Sequence, residues 1–150
     1  MILFKLAAVV ALTGILPAYR PYVGTWTCTQ PTMGHGWWAT LTITPTAEDS
    51  LHLVMSRDTP QGPPNGQAHL RYDPSTGYWT LRSPTYPFVK TGREVDGVIH
   101  FADPSPRKQR FRFGISDDGQ TITMLRYLKN THILNLKKYV ITCTRGEHSP

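Results

Sequence analysis

The side chains of this 150-residue sequence with the most evident capacity for chemistry are six histidines, ten carboxylates and two cysteines. Their spacing points away from catalysis. His35, His52, His69, His100, His132 and His148 stand singly, with none of the short paired spacings that make a zinc site legible, so no metal site is assigned. His35, between Gly34 and Gly36, suits either a flexible turn or an adaptable ligand contact. Glu48-Asp49 and Asp117-Asp118 are adjacent acids in turn-like stretches, where they serve the turn and its hydration rather than general acid-base work. There is no Gly-x-Ser-x-Gly elbow, phosphate-binding glycine loop or Cys-x-x-Cys pair, so no catalytic residue is assigned and an enzyme is not expected.

Cys28 and Cys143 lie near the two ends of the chain. Residues 1–18 carry Lys5, an almost unbroken apolar run from Leu6 to Leu16, then Pro17 and Ala18, the order of a secretory signal peptide. The run is shorter than the ~20 apolar residues that span a bilayer, although an uncleaved N-terminal anchor is the alternative. Residues 19–150 are then one exported domain, secreted or periplasmic, with no transmembrane span. In an oxidising compartment the two cysteines form the single possible disulfide, the alternative being two free buried thiols.

The net charge of +6 falls to +5 without Lys5. It is concentrated from residue 104 onward, where nine Lys and Arg face three acids. In the run Arg107-Lys108-Gln109-Arg110-Phe111-Arg112-Phe113, alternation sends Lys108, Arg110 and Arg112 to one face and Phe111 and Phe113 to the other. Separated in this way, cations and aromatics do not form a nucleic-acid platform, and no nucleic acid is expected. The basic face either binds an anionic envelope surface or simply discourages edge pairing.

The elements that position these residues read as strands. In 37–44, Trp37, Ala39, Leu41 and Ile43 fall on one face and Trp38, Thr40, Thr42 and Thr44 on the other, the period of two of a half-buried strand. The same alternation turns Leu51, Leu53 and Met55 inward, then Ala68, Leu70 and Tyr72, with 73–77 a turn into Trp79 and Leu81. Asp96-Gly97 introduces a strand through Ile99 and Phe101, and Phe111, Phe113 and Ile115 follow in the next. In 121–128 the inward face is ambiguous, because Ile122 and Met124 compete with Leu125 and Tyr127. Tyr139, Ile141 and Cys143 share a face in 138–144, as Gly24, Trp26 and Cys28 do near the start, so Cys28 to Cys143 would tie the first strand to the last with Cα atoms about 4.4 to 6.8 Å apart. The segment 58–66 is rich in Pro and Gly and reads as a long loop. Eight to ten short strands predict an all-β, antiparallel up-and-down barrel, with a sandwich as second choice.

The segment Tyr22-Val23-Gly24-Thr25-Trp26-Thr27-Cys28 resembles the first strand of the calycin barrels, which include lipocalins, fatty-acid-binding proteins and nitrobindins. With the hairpin Tyr72 to Trp79, the Asp96-Gly97 strand and the terminal Cys143-Thr144-Arg145, the chain is similar to a family of exported bacterial lipocalin-like proteins of unknown function. The resemblance implies that Trp26 closes one end of the interior and that Gly24 lets the strand bend. It also tips the barrel toward a cavity, lined by the inward aromatics Trp26, Trp37, Tyr72, Trp79, Phe101, Phe111, Phe113 and Tyr139. Nitrobindin-type members hold haem through a histidine, but His132 falls in a loop-like stretch, the role is not carried over, and no cofactor is expected. The reading is therefore a non-enzymatic binding protein for a small hydrophobic or amphipathic ligand. The alternative is an envelope module acting through its basic outer strand.

Overall fold

The computed structural model describes residues 14–30, 38–57, 66–84, 87, 89–102, 110–129 and 136–146, with the side chains of 126–129 and 136–139 outside the description. Ten strands follow one another: β1 (Gly24–Thr29), β2 (Trp38–Pro45), β3 (Leu51–Arg57), β4 (Gly66–Asp73), β5 (Tyr78–Arg82), β6 (Lys90–Val95), β7 (Val98–Ala102), β8 (Arg110–Ile115), β9 (Thr121–Lys129) and β10 (Leu136–Arg145). Each pairs antiparallel with its sequence neighbour, and β1 pairs with β10, so the meander closes into a barrel without a free edge. The only helical element described is a three-residue 3-10 turn, Arg20–Tyr22, started by Pro21.

The period of two decides what is buried. Trp26 and Cys28, Leu41 and Ile43, Leu51 and Leu53, Leu70, Trp79, Ile99 and Phe101, Phe113, Ile122 and Met124, and Cys143 all fill the interior. The ambiguous ninth strand is settled by register: Ile122 faces Cys143 and Met124 faces Ile141, so Ile122 and Met124 take the inward face. Each such side chain contributes about 1.5–3 kcal/mol on burial.

Cys28 and Cys143 are register partners across the β1–β10 seam and form the disulfide. Their Cα atoms lie 3.9 Å apart, closer than the 4.4 to 6.8 Å expected. The two residues face each other directly across the ladder, where antiparallel partners already approach to about 4.5 Å.

β6 lies outside the sequence reading, which has Asp96-Gly97 only introducing β7. Its inward positions are Lys90, Gly92 and Glu94, none of them an apolar side chain that would signal a strand. Asp96 and Gly97, with φ of 52° and 80°, instead form the two-residue turn between β6 and β7, the conformation whose twist matches the flanking strands.

Consecutive connections alternate between the two ends of such a barrel. The connections 46–50, 74–77, 96–97 and 116–120 share one end with the N-terminal turn. The strand ends bordering 30–37, 58–65, 83–89, 103–109 and 130–135 surround the other, here called the mouth.

Candidate ligand cavity

The interior divides into a filled end and an open one. At the filled end the chain folds across the barrel before β1, and Tyr19 and Tyr22 are 1% and 2% exposed. Both rings meet Trp79 edge-on at 5.9 Å, and Tyr22 lies 5.4 Å from Phe113. The Tyr19 hydroxyl donates to the Asp49 carbonyl and accepts from the Tyr72 N–H, both at 2.8 Å. The Trp26 indole N–H donates to the Tyr22 carbonyl at 3.0 Å, and the Arg145 guanidinium stacks on the outer side of its ring at 4.1 Å. Arg145 also donates to the carbonyls of Pro21, Val23 and Gly119 at 2.7–3.1 Å, fastening the N-terminal turn to the β8–β9 connection. A Cβ at Gly24 would meet this guanidinium at 2.8 Å. Burial pushes the phenols of Tyr19 and Tyr22 above their ordinary value, with Glu94 adding to the effect at Tyr22. Ile15, Leu16 and Ala18, which the sequence reading assigns to the leader, pack against this end of the core.

Above this floor lies an apolar cavity of about 160 Å³. Its walls are Leu41, Leu53, Met55, Ala68, Leu70, Leu81 and Met124, with Phe101, Phe111 and Phe113 on one side, and it reaches the mouth at Gly66 and Gln67. Gln67 is the one polar side chain in the lining, and its carbonyl oxygen is already 3.0 Å from His52 Nε2. Nothing in the lining carries charge, so the space suits an apolar group, and its volume is that of a cavity known to hold one benzene ring.

The sequence-predicted aromatics divide between these two regions. Phe101, Phe111 and Phe113 line the cavity. Trp26 and Trp79 lie in the filled end, and Tyr72 packs on Trp79 at 4.9 Å while its backbone binds Tyr19. Trp37 lies outside the described residues, as does His132; Tyr139 occupies β10 opposite Arg126, its side chain outside the description. The aliphatic walls were legible as inward residues but not as lining. Alternation tells inside from outside, whereas height along the barrel axis follows from register.

On the outer face His69 and His100 are exposed and His52 half-buried, as alternation predicts. His52 and His69 are register partners whose rings stack at 4.8 Å. No group of three or more potential metal ligands occurs among the described residues. Of the basic strand, Arg110 is exposed and Arg112 half-buried, while Lys108 lies outside the description. No described helix is long and apolar enough to cross a membrane.

No protein-family model matches the chain, and no curated protein does. Solved structures with the same barrel include two crystal structures of the fluorescent protein UnaG. A single-site mutant is 11% identical, with a TM-score of 0.55 over 85% of this chain and 98% of that one. The wild type is 13% identical, with a TM-score of 0.53 over 85% and 99%. At such identity the likeness is one of fold, and the closed ten-stranded antiparallel barrel fits a calycin-like architecture.

Proposed function

We propose that this chain is an exported, non-catalytic binding protein for a small hydrophobic or amphipathic molecule, whose apolar part occupies the cavity between Leu70 and the mouth. The observation that carries the reading is the cavity itself: about 160 Å³ of uncharged space left by a barrel that fills its other end with aromatic rings. A core serving stability alone would be packed to crystal-like density, because each void forfeits dispersion contacts. The disulfide favours an oxidising compartment. Among the described residues the lining is apolar apart from Gln67, and the calycin-like architecture commonly encloses one small ligand.

Native mass spectrometry of the protein isolated from its own host would detect a retained molecule. In parallel, toluene titrated into the protein would shift the ring resonances of Phe101, Phe111 and Phe113. Ala68→Phe, which places a ring in the cavity, abolishes that shift, whereas His69→Phe on the outer wall preserves it. An unmodified protein that carries no ligand and ignores toluene would overturn the reading.

A further inference from the structure

The charges of the described residues are segregated along the barrel axis. Around the mouth, the terminal residues of β3, β5, β6 and β8 are Arg57, Arg82, Lys90 and Arg110, and no described strand end there is acidic. β9 also ends at this rim with Lys129, which faces Leu136 in the ladder. The connections between these strand ends add no net charge by sequence, since Asp58 and Asp103 offset Arg107 and Lys108. The filled end is the reverse. Glu48, Asp49, Asp73, Glu94, Asp96, Asp117 and Asp118 gather there against Arg20, Arg71, Arg93 and Arg145, which leaves this end acidic. Lys90 stands on the inward phase of β6, with its ammonium 5.5 Å from the centre of the Phe111 ring, so the cationic rim borders the apolar cavity directly.

We infer that the mouth is a docking face for an anionic lipid bilayer, so that the cavity opens toward the phase in which an apolar ligand is dissolved. The two ends carry opposite charge, so the field of an anionic surface orients the barrel as well as attracting it, mouth inward and acidic end toward water. The basic outer face of β8 then contributes through Arg110, its residue at the rim, rather than along its whole length. The purpose assigned to docking rests on the proposed ligand cavity; the docking itself rests on charge alone.

The test is co-sedimentation of the full chain with vesicles of phosphatidylcholine, or of phosphatidylcholine with roughly one-third phosphatidylglycerol, at low and physiological salt. The protein should bind the anionic vesicles, and salt should weaken the binding. Each rim cation is worth a roughly fivefold change in partitioning, so Arg82→Glu with Arg110→Glu should weaken binding at least about 25-fold. Arg20→Glu with Arg71→Glu makes the same change in net charge away from the mouth and should leave binding within about fivefold of the unmodified protein. Circular dichroism establishes that both variants keep the β fold. No binding to anionic vesicles at low salt, or an equal loss in both variants, would overturn the inference. The toluene shift separates the two proposals: its absence with vesicle binding intact removes the ligand reading alone.

Discussion

Replacing Cys28 and Cys143 together tests how the barrel is closed. The bond spans 115 residues, and the chain-entropy relation for such a loop gives about 16 cal/mol/K, or about 4.8 kcal/mol at 25 °C, removed from the unfolded state. Disulfides commonly yield about 2–4 kcal/mol, so a loss of roughly 3–5 kcal/mol is expected. With an unfolding entropy of ~2.1 cal/mol/K per residue over roughly 130 residues, this lowers Tm by about 11–18 °C. Both cysteines are fully buried, so Cys28→Ala with Cys143→Ala also leaves unfilled space and loses about 1–2 kcal/mol more. Cys28→Val with Cys143→Val refills it, leaving the loop-closure loss nearly alone. Urea unfolding of both pairs, with far-ultraviolet circular dichroism of the native states, separates the contributions. The dichroism should remain β-rich, because the β1–β10 ladder of Trp26 to Thr29 with Thr142 to Arg145 persists without the bond. A valine pair within about 1 kcal/mol of the unmodified protein would refute the entropic account. Loss of β structure would show instead that this four-pair seam, against nine pairs for β9–β10, depends on the bond.

Arg145→Met should cost about 2–4 kcal/mol in urea unfolding, from one cation-π stack and charged hydrogen bonds to three carbonyls, and Arg145→Lys should recover less than half, since an ammonium cannot reproduce the guanidinium fork; equal stability of Lys and Arg would contradict this. Gly92→Ala should cost roughly 1–3 kcal/mol or more, because its Cβ would fall on the backbone carbonyl of His100 where β6 meets β7; an unchanged urea midpoint would contradict the close approach. The Tyr22 hydroxyl is buried without a hydrogen-bond partner among the described residues, so Tyr22→Phe should be neutral or stabilise by up to about 1.5 kcal/mol near pH 7. The folded phenol titrates above the unfolded value of 10.0, so its contribution is intact below that pH and is lost as pH rises further; stability measured from pH 9 upward should fall less steeply in Tyr22→Phe.

The architecture was legible because alternation is a local property. Ala39, Leu41 and Ile43, or Phe111 and Phe113, announce their inward face within a few residues, and hydrophobic burial enforces it. β6 was not, because its inward face presents Lys90, Gly92 and Glu94; that strand is specified by its neighbours, with Gly92 opposite both Trp79 and Phe101. Tyr19 and Tyr22 were missed for a related reason. They precede the first alternating segment, and only the folded chain brings them over the barrel end, where they meet Trp79 from across the sheet. The cavity lining was half legible: the inward aromatics are equivalent in the sequence pattern, yet Trp26 and Trp79 fill the floor while Phe101 and Phe111 stand on the wall.

That distinction of height carries the functional argument. A meander of ten strands has two chemically distinct ends, and the short turns, the N-terminal segment and Arg145 all fall at one of them. With Tyr19 and Tyr22 packed across that end, the cavity extends toward the other, at Gly66 and Gln67, and Leu81, Met55 and Phe111 border unfilled space. The same axis sorts the charges, because turns such as 73–77 and 116–120 use Asp for their local hydrogen bonds, Asp73 accepting from the Ser75 N–H and hydroxyl and Asp118 from the Ser116 hydroxyl and the Gln120 N–H. The acidic end is thus in part a by-product of turn chemistry. The cationic rim is drawn from further apart: Arg57, Arg82, Lys90 and Arg110 terminate four separate strands, so no single turn gathers them. Like charges brought to one end by four separate strands, beside the cavity bordered by Phe111 and Lys90, form the pattern that docking on an anionic surface accounts for.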